Sequence, residues 1–233
     1  MAVRGGIIAA GEGSRLRRDG FTAPKPLVEV AGVPLIGSVL DNFEAAGVTS
    51  ITVIVNEEER ACVDWVRAHR AGLDVEFVVK TTASSLESFR EITARGPAGP
   101  MLVSTVDAWC AAGDFARFAA AAARRPDEAT VLAVTPLVED ETPLWVTLGA
   151  GGRVQSIGER GGALVTAGVY RVSDRARHIE SAPGLGRLRD YLGWLLASGE
   201  PMYGEIIETV VDVDRRADVA SAEALAGRRA SRA

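Results

Sequence analysis

The side chains in this sequence best suited to chemistry fall into two groups: cations beside glycines near the N-terminus, and aspartates far from them along the chain. In GGIIAAGEGSRLRRDGFTAPKPL, residues 5–27, an apolar run gives way to Ala9, Ala10, Gly11 and Gly13, then to Ser14 and Arg15, and finally to Lys25 between Pro24 and Pro26. Glycines let backbone N–H groups approach an anion with no Cβ in the way, while arginine offers a forked donor and lysine a point charge to phosphate oxygens. The two prolines restrict the backbone around Lys25 and preset the direction of its side chain. The pattern predicts a cradle for a chain of phosphates.

Two better-known cradles are excluded. A dinucleotide fingerprint, G-x-G-x-x-G, needs a third glycine where Leu16 stands. A P-loop needs a Gly-Lys pair, and the chain has none.

The elements that must position these residues are legible in the hydrophobic pattern. Four strand-like runs, GGIIAA, SITVIVN, DVEFVVK and PMLVSTVD, are each followed by a segment of helical spacing, which predicts a parallel sheet covered by helices over the first 125 residues. From residue 126 the pattern turns β-rich, with TVLAVTPL, LWVTLGA, RVQSIGE and ALVTAGVYRVS separated by short turns. Helices are expected around 185–198 and 215–226, with IIETVVDVD as one strand between them. The organisation expected is one domain over 1–227, with a first half at 1–125 and a second half at 126–227, followed by a frayed tail at 228–233.

Bulk properties exclude several classes. The 233 residues are 47% hydrophobic and 24% charged with a net charge of −5, which gives no electrostatic footprint for nucleic acid or an anionic membrane. Two cysteines without a CxxC pattern, and the lack of a signal-type or membrane-length apolar run, predict a cytoplasmic protein with reduced thiols; a homo-oligomer is left open. His69 and His178 lie far from the motifs and suggest no triad or metal site.

GIIAAGEGSRL followed by APKPLVEVAGVPLI resembles the N-terminal signature of nucleotidyltransferases that make nucleoside diphosphate sugars and related activated metabolites. The resemblance implies a single Rossmann-like, doubly wound, mostly parallel mixed sheet with helices on both faces and a small β-rich acceptor-binding extension. It also implies an NTP and a small phosphorylated acceptor as substrates, Mg²⁺ as cofactor, and pyrophosphate as product. Under it, Arg15 would meet the β- and γ-phosphates, and Lys25 the α-phosphate or the acceptor's phosphate, with Ala9, Ala10, Gly11, Gly13 and Ser14 around the nucleotide. A sugar 1-phosphate is the expected acceptor. The alternatives are a cytidylyltransferase acting on phosphocholine or a polyol or cyclitol phosphate, and a catalytically silent nucleotide-binding regulator.

Such chemistry calls for a divalent cation on hard oxygen ligands. Asp107 ends the apolar run MLVSTVD, and ligands of open α/β sheets bind at the carboxyl ends of strands. Asp212 and Asp214 alternate in VVDVDRRADV and are expected on one side of a strand, with Asp218 on the helix that follows. The resemblance makes Asp107, Asp212 and Asp214 candidate metal ligands, although the family often has Gly where Val106 stands and Ser or Thr where Arg215 stands. Any of these acids could instead cap a turn or a helix.

In KTTASSLESF, the resemblance brings Thr82, Ser84 and Ser85 to the base, while Ser84 with Glu87 also spells a capping box. SIGERGGALVTAGVY is similar to the family's acceptor segment, with Glu159 for hydroxyls, Arg160 for phosphate and Ala167-Gly168 as a backbone platform. A Glu-Arg surface pair is the other reading of residues 159–160. Trp145, Tyr170, Tyr191 and Trp194 are either core or a cage for a quaternary ammonium.

Overall fold

The computed structural model describes residues 4–137, 142–159, 161–180 and 184–230. Its strands are β1 (Arg4–Ala9), β2 (Glu29–Val30), β3 (Val33–Pro34), β4 (Ser50–Val55), β5 (Asp74–Val79), β6 (Met101–Thr105), β7 (Ala108–Cys110), β8 (Thr130–Thr135), β9 (Trp145–Leu148), β10 (Val154–Ile157), β11 (Leu164–Val172), β12 (Met202–Ile206) and β13 (Val210–Asp212). The helices are α1 (Ser14–Arg18), α2 (Leu35–Ala45), α3 (Arg60–His69), α4 (Ser85–Thr93), α5 (Ala112–Ala122), α6 (Asp174–His178), α7 (Leu188–Ala197) and α8 (Arg216–Ala230).

Nine strands form one mixed sheet, in the order β10-β9-β11-β6-β1-β4-β5, with β8 pairing β11 and β12. β1 is an interior strand, parallel to its neighbours β4 and β6, with Ile7 opposite Val53 and Ser104. Successive side chains of β1 enter different cores, as the two-residue period of a strand requires. Ile7 packs with Leu35, Leu40, Phe43 and Phe115 from α2 and α5, and Ile8 with Phe89, Ile92 and Leu192 from α4 and α7. Helices therefore cover both faces, as expected of a doubly wound sheet.

The β-rich stretch after residue 126 joins this same sheet. β11 runs antiparallel to β6 and to β8, and its register slips between Thr166 and Tyr170. Gly168 sits in that bulge with φ +70°, and a Cβ there would lie 2.6 Å from Thr105 Oγ1. The site requires glycine for both its backbone and its packing.

Two expectations are corrected. IIETVVDVD is not one strand: β12 ends at Ile206 in the main sheet, and β13 pairs instead with β7 in a separate two-stranded ribbon. Asp214 therefore lies beyond the strand rather than on it. α8 runs through Ala230, into the stretch expected to fray; residues 231–233 lie outside the described residues.

Candidate active site

The glycine-rich segment leaves the end of β1 and turns into α1 through Gly13, whose φ of 60° and ψ of 29° are left-handed. A Cβ on Gly13 would come within 2.7 Å of Lys25 Cβ, so the bare Cα is what lets Lys25 pack beneath the loop. Lys25 opens a short 3₁₀ turn, Lys25–Leu27, and only 7% of it is exposed. Its Nζ donates to Asp107 Oδ2 at 2.6 Å and to Asp214 Oδ1. Arg15 Nη1 donates to the other oxygen of Asp214 at 2.9 Å. Four residues singled out by the sequence thus meet in one ion-pair network.

The backbone explains how acids so distant in sequence come together. The carbonyl of Asp107 accepts the N–H of Trp109 at 2.8 Å and that of Val213 at 3.0 Å, tying the turn after β6 to the end of the β7–β13 ribbon. Asp218 then accepts the N–H groups of Asp214 and Arg215 at 2.9 and 2.7 Å, which is a capping role. Arg216 donates its backbone N–H to Asp19 Oδ2 at 2.9 Å, docking the start of α8 on the loop after α1.

Burial alone would lower the pKa of Lys25, but Asp107, Asp214 and Asp212 together hold it above the ordinary lysine value. Asp107 is the converse case. Burial would raise its carboxyl, yet the charge and hydrogen bond of Lys25, helped by Thr105, keep it below the usual range. Both groups are ionised across the physiological range.

Two cavities flank Asp107. The first, about 300 Å³, is lined by Ala10, Gly11, Lys25, Thr82, Ser85 and Asp107 among others. The second, about 230 Å³, is lined by Asp107, Thr166, Gly168, Tyr170, Arg189 and Asp212 among others. Ile8, Ser85, Thr105 and Asp107 belong to both walls, so Asp107 stands at the junction. Asp212 faces the second cavity while Asp214 turns to Lys25 and Arg15. Among the described residues, no three acidic, histidine or cysteine side chains converge as a ready-made metal cluster.

The remaining candidates are distributed unevenly. Ala9 is buried in the core, and Ser14 is exposed at the start of α1. The Thr82 hydroxyl bonds Ser88 Oγ at 2.6 Å, and Ser85 Oγ accepts the N–H of Leu188 at 3.0 Å, joining α4 to α7. Ser84 and Glu87 form the capping box: Ser84 Oγ accepts the N–H of Glu87, and Glu87 Oε2 accepts that of Ala83. Glu159 is exposed and absent from the described walls of the second cavity, and Arg160 lies outside the described residues. Of the two readings of these aromatics, core or cage, no cage is assembled on the described walls, where Tyr170 is the only aromatic side chain. Tyr191 is instead core, packed 5.7 Å from Phe89 and 5.8 Å from Trp194 between ring centres.

Arg189 was missed by sequence reasoning. It is the only basic side chain among the described residues lining the second cavity, and one of its N–H groups is anchored on Thr142 O at 2.7 Å. A signal existed: Arg189 lies in the first turn of α7, where the helix dipole disfavours a cation, so helix stability does not explain its choice.

Comparison with known proteins bears on this geometry. Residues 5–193 match the model of the MobA-like NTP transferase domain. The chain belongs to this family. Over 92 residues, 40% of the chain, it is 31% identical to a CMP-5'-(3-aminopropyl)phosphonate synthase of Streptomyces rubellomurinus, of which it covers 15%. Over 114 residues, 46% of the chain, it is 33% identical to a mannose-1-phosphate guanyltransferase of Gibberella zeae, of which it covers 31%. The chain thus spans less than a third of the length of either relative. Among solved structures, the inositol-1-phosphate CTP transferase from T. maritima superposes with a TM-score of 0.80 at 18% identity, over 96% of this chain and 95% of that one. This MobA-like chain therefore has the fold of the nucleotide-diphospho-sugar transferases.

Proposed function

We propose that the chain transfers a nucleotidyl group from an NTP to the phosphate of a small acceptor, of the sugar 1-phosphate type, and releases pyrophosphate. The observation that carries this reading is the position of Asp107 with Lys25: the ion pair stands where a cavity under the glycine-rich loop meets a second, smaller cavity. A reaction that joins two phosphates needs such a meeting point.

The NTP occupies the first cavity, with its phosphates along Gly11 and Gly13, its base near Thr82 and Ser85, and Arg15 toward the β- and γ-phosphates. The acceptor occupies the second cavity, on the platform of Gly168, with its anionic group met by Arg189. An acceptor phosphate oxygen attacks the α-phosphorus; the new P–O bond forms as the bond to the β-phosphate's bridging oxygen breaks, and pyrophosphate departs with that electron pair. Lys25 steadies the α-phosphate charge. No general base is required, because the nucleophile is already an anion, and catalysis is positioning plus electrostatics. His69 and His178 fit that account, each exposed and bonding through Nδ1 to a carbonyl of its own helix.

The residues present fit a divalent cation. Asp107 and Asp214 already share one cation, the Lys25 ammonium, and Asp212 adds a third carboxylate within electrostatic reach. Asp107 with Asp212 or Asp214 would hold Mg²⁺, which when bound neutralises phosphate charge. The buried thiols Cys62 and Cys110 suit a reducing cytoplasm.

The names of the relatives supply a second acceptor class, a phosphonate that ends up joined to CMP in one and inositol 1-phosphate with CTP in the other. The test is pyrophosphate release from each NTP with Mg²⁺ and a panel of sugar 1-phosphates, inositol 1-phosphate and aminoalkylphosphonates. Turnover with at least one pair is expected, and Asp107→Asn should lower it about 100-fold or more. Tight NTP binding without turnover on any acceptor would favour the regulator, and full activity of Asp107→Asn would overturn the role given to Asp107.

A further inference from the structure

Lys25 occupies the carboxylate oxygens that a divalent cation at this site would take. The ammonium is buried and bonded to Asp107 and Asp214 at once, and Asp214 is claimed on its other oxygen by Arg15. Pro24, Pro26 and the 3₁₀ turn fix the Lys25 backbone, and Gly13 packs against its Cβ. Only the outer methylenes and the ammonium are left to move.

Asp107, Asp212 and Asp214 carry three negative charges, and Lys25 and Arg15 two positive ones. A divalent cation arriving on Asp107 and Asp214 would meet the ammonium at the same oxygens, where like charges a few ångströms apart repel strongly. A triphosphate entering under the glycine-rich loop changes the balance, since it offers the ammonium a competing set of anionic oxygens in the cavity that Lys25 itself lines.

We infer that Lys25 is the resident counter-ion of the cation site and makes divalent-cation binding conditional on nucleotide. The triphosphate draws the ammonium away from Asp107 and Asp214, and the released oxygens then take the divalent ion. Cation and nucleotide strengthen each other's binding by the same factor, as linkage requires. The inference rests on the nucleotidyl-transfer reading of the site.

The test uses Mn²⁺ and the full chain, reading protein-held Mn²⁺ by water-proton relaxation enhancement, which separates it from Mn²⁺ on free nucleotide. In the wild-type protein, an α,β-methylene NTP should tighten protein-held Mn²⁺ by roughly tenfold or more, within the usual range of coupling between sites. Without nucleotide, Lys25→Met should bind Mn²⁺ about tenfold more tightly than wild type. Adding Asp107→Asn to that variant should remove the gain, which places the new affinity at this site. Lys25→Gln repeats the measurement with a polar side chain, and if neither variant folds, a wild-type Mn²⁺ affinity that the analogue leaves unchanged still overturns the inference. Equal Mn²⁺ affinity of wild type with and without the analogue, or a Lys25→Met no tighter than wild type, would overturn the latch while leaving the transferase reading intact. No protein-held Mn²⁺ under any condition would overturn the latch and the metal-dependent part of that reading together.

Discussion

Replacing Gly13 with alanine tests whether the glycine-rich loop acts by seating Lys25. Two costs follow from the structure. The left-handed backbone at Gly13, φ 60° and ψ 29°, costs an L-residue roughly 1–2 kcal/mol. The added methyl would lie 2.7 Å from Lys25 Cβ, which is about 1 Å inside ordinary carbon–carbon contact. That overlap cannot be relieved by rotating Lys25, because its Cβ is fixed to the backbone and prolines flank it. The 3₁₀ turn must shift, carrying the ammonium off its 2.6 Å contact with Asp107.

A displacement of about 1 Å at a positioning group costs on the order of 100-fold in rate, so kcat/KM for pyrophosphate release should fall by about that factor. A destabilisation of about 2 kcal/mol in a chain of this size should lower Tm by roughly 4–8 °C. Gly11→Ala is the internal control. Its φ is not left-handed and a Cβ there would meet nothing within 4 Å, so Tm should stay near wild type while any loss shows as a higher KM for the NTP. If Gly13→Ala melts and turns over like wild type, or if both alanines cost the same stability, the argument that Gly13 seats Lys25 is wrong.

Two further outcomes are expected. Arg189→Met should raise the acceptor KM by about 10- to 100-fold, the worth of a charge-assisted hydrogen bond, with the NTP KM and Tm little changed; a parallel rise in the NTP KM would place Arg189 elsewhere. Glu59 is fully buried, and that desolvation, offset only in part by Arg17 and Asn56, lifts its carboxyl from 4.5 to about 7. Because the folded state favours the protonated form, this acid does not weaken the fold below pH 4.5 and increasingly does so as pH rises through 7, by roughly 3 kcal/mol at full ionisation. Denaturant unfolding of Glu59→Gln should therefore show a gain over wild type at pH 8 that disappears at pH 4.5, and a gain independent of pH would contradict the assignment.

What the sequence disclosed about this site was whatever is local. Gly11, Gly13, Arg15 and Lys25 fall within one short stretch, and the glycines and prolines around them announce their backbone constraints directly. Asp107 could be placed because it closes an apolar run, and strand ends in a doubly wound sheet face the ligand. The pairing of Lys25 with Asp214 spans 189 positions and depends on β7, three residues too few to show any period. IIETVVDVD misled for a related reason. Its apolar residues serve two sheets, with Ile207 donating its N–H to Val134 O and Val210 turning to pair with Cys110, and continuous apolarity conceals that break. Arg189 was hidden because its one local cue, a cation in the first turn of a helix, is weak beside the neighbouring Arg187 and Asp190 until the cavity is visible.

The same geometry explains why two glycines far apart in the chain answer to one ion pair. Gly13 lies against Lys25 Cβ, at the cationic end. Gly168 lies against Thr105 Oγ1, and Thr105 helps to hold the carboxyl of Asp107 below the usual range, at the anionic end. Both glycines have left-handed backbones, and at both a methyl group would press on the atoms that fix where the charges meet. Gly13 belongs to the loop over the first cavity and Gly168 to the bulge lining the second. A missing side chain on each wall therefore keeps Lys25 and Asp107 at the boundary between the cavities, from which, in the proposed reaction, one ion pair would act on both phosphates.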